Sequence, residues 1–99
     1  MASINNDDPV TSNGDYKVRG HEAGKLHSFL VEGVLGGATV TLQWRKKRPT
    51  WNAFDDASLT RTAVGGSNFA IDTPYLNVNV AGATGTTNFD VSITTLSRT

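Results

Sequence analysis

Ala38-Thr39-Val40-Thr41-Leu42-Gln43-Trp44-Arg45 is the stretch that decides how this chain folds. Apolar Ala38, Val40, Leu42 and Trp44 alternate with polar Thr39, Thr41, Gln43 and Arg45, so an extended strand has one apolar face and one wet face. A helix would scatter the same residues around its axis, and the β-branched Val and Thr suit a pleated, half-buried surface. Turns bracket the strand. Gly36-Gly37 precedes it, and Lys46-Lys47-Arg48-Pro49 follows it, with Pro49 unable to donate to a central ladder.

The same grammar continues on both sides. Upstream, Tyr16 to Arg19 alternates and Gly20 to Gly24 forms a turn. Lys25 to Val34 is a longer run whose centre, Phe29-Leu30-Val31, is apolar at consecutive positions, which predicts a strand covered on both faces. Downstream come short runs at Trp51 to Phe54, Leu59 to Val64, and around Phe69 and Ile71. Leu76, Val78 and Val80 alternate with Asn77 and Asn79, and Phe89, Val91 and Ile93 alternate with Asp90, Ser92 and Thr94. Gly82-Ala83-Thr84-Gly85 between them reads as a hairpin tip, and Asp56 to Leu59 has room for one helical turn at most. Seven to eight short strands at this spacing predict an all-β, antiparallel sandwich, immunoglobulin-like or jelly-roll-like. Residues 1–15, polar and carrying Asp8-Pro9 and Asn13-Gly14, are expected to form a flexible or extended N-terminal arm on a single domain of residues 16–99.

Composition narrows the function classes. The 99 residues make one domain with a thin stability margin, and with no cysteine a disulfide cannot widen it, so self-association or docking on a larger assembly is expected. Nine basic and nine acidic residues cancel, which argues against general affinity for nucleic acid or an anionic membrane. The first residues carry neither a basic start nor an apolar run, so no signal peptide is read there, and synthesis in a cytoplasm is expected.

Signs of catalysis are weak. His21 and His27, with Glu22 nearby, lack convincing third and fourth metal ligands, and Asp55-Asp56 lacks the spacing of a calcium loop. Neither a Gly-x-Ser-x-Gly elbow nor a phosphate loop occurs. The chain is therefore expected to be no enzyme and to need no cofactor or metal. The basic run Arg45-Lys46-Lys47-Arg48, beside Trp44 and Trp51, is the feature that invites a partner: an acidic protein surface, or less readily phosphates and bases. Trp44 is expected in the core and Trp51 half exposed. Partner contacts are expected at Ile4, Pro9 and Val10 of the arm and at Arg45, Lys46, Lys47, Arg48 and Trp51. An alternative is a carbohydrate-binding module stacking sugars on Trp51 and Tyr75.

Two longer stretches carry a resemblance. Val31-Glu32-Gly33-Val34-Leu35-Gly36-Gly37-Ala38-Thr39-Val40-Thr41-Leu42-Gln43-Trp44, with Thr50-Trp51 after it, is the first; Leu76 to Ile93, with its Val-x-Val-x-Gly-Ala-Thr-Gly-x-Thr pattern from Val78, is the second. Together they resemble small virion proteins of tailed bacteriophages, over about Val31 to Leu96. The sequence departs from that pattern at the first hairpin, where Arg45-Lys46-Lys47-Arg48-Pro49 replaces a Gly- and Asp-rich tip. The resemblance implies a capsid decoration or cement protein on the capsid surface, bound to the major capsid protein and assembled as a homo-oligomer, with a trimer favoured. A head-fibre, neck or tail component is the other position it implies.

Overall fold

In the computed structural model the described residues are 9–18, 24–73 and 75–95. They form β1 (Gly14–Lys17), β2 (Leu26–Val34), β3 (Thr39–Arg45), β4 (Asn52–Ala53), β5 (Thr60–Arg61), β6 (Gly65–Ala70), β7 (Tyr75–Ala81) and β8 (Asn88–Thr95). One sheet runs β1-β7-β3, with β4 and β5 sharing the far edge of β3; the other is β6-β2-β8. Every pairing between strands is antiparallel. The expected antiparallel β-sandwich is the fold.

Alternation builds the core. The inward side chains of β3 and β7 (Val40, Leu42, Leu76, Val78, Val80) meet Phe29, Val31, Phe69, Phe89 and Ile93 of the other sheet. Each such side chain contributes about 1.5–3 kcal/mol by leaving water. Trp44, expected in the core, lies half buried against the edge of this cluster at the end of the β3 stripe. His27 is buried too. Its ring stacks on Phe69 with centroids 5.3 Å apart, and Nδ1 lies 2.9 Å from the Lys25 carbonyl oxygen. Asp56 caps a 3₁₀ turn over Ala57–Leu59 by accepting from the Ser58 N–H at 2.9 Å and the Ser58 hydroxyl at 2.6 Å, so the single helical turn is there. His21 and Glu22 lie outside the described residues.

Three expectations need correction. Strand β2 is buried on one face only: Phe29 is inside, whereas Leu30 is 50% exposed and lines up outward with Leu26 and Val34. Among the described residues no strand or connection covers this outer row of the three-stranded sheet, so Leu26, Leu30 and Val34 stay exposed. Gly82 to Gly85 is not a hairpin tip, since β7 and β8 belong to different sheets and this loop carries the chain across the sandwich. Finally, Val10 is no loose arm residue. It is fully buried and exchanges two backbone hydrogen bonds with Phe89, at 2.7 and 3.1 Å. A few residues on, the Asn13 side-chain oxygen accepts from the Ala83 N–H at 2.7 Å, and β1 starts at Gly14. The sandwich therefore begins no later than Val10, and that side chain is unavailable to a partner.

The two ends of the sandwich are built differently. At the end where β2 passes into β3, Gly36 turns with φ +63 beneath the hydroxyls of Thr84, Thr86 and Thr87. The Thr84 hydroxyl donates to the Gly36 carbonyl at 2.7 Å and that of Thr87 to the Leu35 carbonyl at 2.8 Å; Thr87 Oγ1 in turn accepts from the Thr84 N–H. Two crossing loops are thereby sewn together, and the Leu35 and Gly36 carbonyls and the Thr84 N–H are satisfied internally. The opposite end carries the basic turn.

Candidate functional site: the basic end of the sandwich

Strand β3 ends at Arg45 and the chain returns as β4, with Gln43 opposite Ala53 and Trp44 opposite Asn52, so residues 46–51 form a true hairpin connection. Lys46, Lys47, Arg48 and Pro49 are exposed at its tip. Arg45 faces Tyr75 across the β3–β7 ladder, and its guanidinium carbon lies 4.5 Å from the Trp51 ring centroid and 5.4 Å from that of Tyr75. Cation–π attraction to both rings holds this side chain in place. Beneath it, the buried Thr73 hydroxyl donates to the Arg45 carbonyl at 2.7 Å and accepts from the Tyr75 N–H at 3.2 Å, which pins the end of β3 to the start of β7.

These elements leave an open cleft of about 340 Å³ lined by Arg45, Lys46, Lys47, Arg48, Pro49 and Tyr75. Among the described residues the tip meets one acid: Lys46 Nζ is 3.6 Å from Asp72 Oδ2, with both side chains well exposed. Such a pair contributes little in water. Positive charge at the cleft is thus mostly uncompensated.

The adjoining outward face of the five-stranded sheet is laced with polar side chains. Asn77 is fully buried there, and its Nδ2 donates to Asp15 Oδ1 at 3.0 Å and to Gln43 Oε1 at 2.9 Å. Asn79 Nδ2 donates to the same Asp15 oxygen at 2.9 Å. These bonds, Asn79's first and Asn77's second, hold the Asp15 carboxyl below its ordinary value of 3.8 against a small opposing effect of burial. This hydrogen-bonded face, built from β1, β7 and β3, continues from Arg45 and Tyr75 away from the cleft.

The structure unites four expected contact residues, Arg45 to Arg48, with Trp51 in one place. Pro9 lies exposed elsewhere, beside the buried Val10, and Ile4 is outside the described residues. Sequence reasoning missed Tyr75 as a member of the basic site. Only the pairing of β3 with β7 brings it to Arg45, and its place two residues before the alternating Asn77 was the available hint. Among the described residues no group of three or more His, Asp or Glu side chains is placed to hold a metal ion, and no helix is long and apolar enough to cross a membrane.

The site and fold define an antiparallel β-sandwich with a preorganised basic cleft at one end. Comparison with protein-family models, curated proteins and solved structures gives no match for this chain.

Proposed function

We propose that this chain is a bacteriophage virion structural protein, a capsid decoration or cement protein that binds the major capsid protein lattice and stabilises the head. The observation that carries the reading is the division of labour between the ends of the sandwich. The stretches that resemble virion proteins supply the threonine-sewn end and the strands, while the divergent tip is basic, exposed and short of counter-charge. A binding domain needs this combination of a stiff scaffold and a variable contact tip, and chemistry is not asked of it. In this reading the small domain self-associates on the shell, as a trimer, to supplement a modest core.

A carbohydrate-binding module is the weaker reading, because the Arg45 guanidinium already lies over both the Trp51 and the Tyr75 ring and competes with a sugar for them. Quantitative mass spectrometry of purified particles, calibrated on the major capsid protein, tests the proposal. A copy number in simple ratio to the major subunit is expected. A number matching a single ring would move the protein to the neck or tail, and absence from the particle would sink the virion reading altogether.

A further inference from the structure

We infer that the basic cleft binds a carboxylate on an acidic segment of a partner protein, with Arg45 as the anchoring residue; this rests on reading the tip as a protein-docking element. A guanidinium offers two faces and a donor edge. At Arg45 the surrounding rings are Trp51 and Tyr75, at 4.5 and 5.4 Å, and among the described residues no carboxylate pairs with it. The side chain is half buried and already ordered by its rings, so little rotamer freedom is lost when a ligand arrives. Its planar fork matches the two oxygens of a carboxylate, a geometry that an ammonium does not reproduce.

The rest of the cleft suits the same ligand. Its volume of about 340 Å³ leaves room for an acidic side chain beside Arg45. Among the described residues Lys46 at the rim faces only Asp72, 3.6 Å away in an exposed and weak pair that an incoming carboxylate can replace. Lys47 and Arg48 stand exposed above and would steer an acidic segment toward Arg45. Nucleic acid fits less well. The chain has no net charge, the cations occupy one short turn, and the Arg45 guanidinium already lies over both rings that bases would stack on.

The experiment is a titration of the full ¹⁵N-labelled chain with a glutamate-rich peptide, followed by NMR. Saturable shifts of the Arg45 Nε–H and the Trp51 indole N–H are expected. Arg45→Lys keeps the charge and loses the fork, and should weaken binding about tenfold; Trp51→Leu, which loosens Arg45, should weaken it in the same direction. Retained amide dispersion in each variant separates lost binding from lost fold. Wild-type affinity in Arg45→Lys overturns the inference, as does tighter binding of a single-stranded oligonucleotide of matched charge. The virion reading is judged separately: peptide binding with no copies in particles defeats that reading alone, and copies in particles without peptide binding defeat this inference alone.

Discussion

The sewn end and the basic end of the sandwich are joined by the same two strands, β3 and β7, yet they handle polar groups in opposite ways. Around Gly36 the hydroxyls of Thr84 and Thr87 are spent on carbonyls of the neighbouring loop, so these polar atoms are satisfied within the fold. Around Arg45 aromatic rings hold a cation without neutralising it, and Lys47 and Arg48 extend into solvent. Uncharged hydroxyls that satisfy backbone carbonyls stabilise the fold they sit in. Stacked but unneutralised charge adds little stability at the surface and keeps its electrostatic potential for whatever docks.

Substitutions test that contrast. Gly36→Ala should have the largest effect. The new methyl would strain a positive φ and meet Thr86 Oγ1 at 2.7 Å and the other two hydroxyls at 2.9 Å. We expect a loss of about 2–4 kcal/mol in chemical denaturation, and a wild-type midpoint would show that the knot is dispensable. Next comes Thr87→Val, which keeps the shape but removes a buried hydroxyl that serves both Leu35 and Thr84. It should cost about 1–3 kcal/mol by leaving backbone groups unpaired.

Asp15, on the face between the two ends, should give a smaller and pH-dependent effect. Its folded carboxyl titrates below the ordinary 3.8, so its contribution is present above that value and is lost as pH falls through the folded value. Because the side chain is exposed, the contribution should not exceed about 1 kcal/mol. Asp15→Asn should remove this portion of the acid sensitivity, seen by comparing denaturation midpoints near neutrality and below 3.8. The double variant Lys47→Gln/Arg48→Gln should change stability least, within about 0.5 kcal/mol. It should nevertheless lower both the affinity for an acidic peptide and the salt dependence of binding. A large loss of stability there would erase the distinction between the ends.

Much of this molecule was legible in the chain. The alternation in Ala38 to Arg45, Leu76 to Val80 and Phe89 to Ile93 is a local consequence of the two-residue period, and it assigns inward and outward faces before any partner strand is known. Leu30 was misread for the same reason. Consecutive apolar residues mark both faces, but whether anything covers the second face depends on where other segments pass. The Gly82 to Gly85 loop poses a similar problem, because glycines announce a turn and leave open whether the next strand returns to the same sheet.

The candidate site divides along that line. Arg45, Lys46, Lys47, Arg48 and Trp51 are neighbours in the chain, so their shared location was readable directly. Tyr75 and Thr73 reach the site through the β3–β7 register, and Val10 leaves the expected arm through its pairing with Phe89. The sequence by itself determined the all-β class, the core stripe of each strand and the position of the basic turn, because side-chain alternation and turn chemistry act over a few residues. Tertiary structure alone decided which strands share a sheet, which loops are sewn together and which rings flank Arg45. Those outcomes depend on contacts between residues far apart in the chain, settled when the two sheets bury their faces against each other.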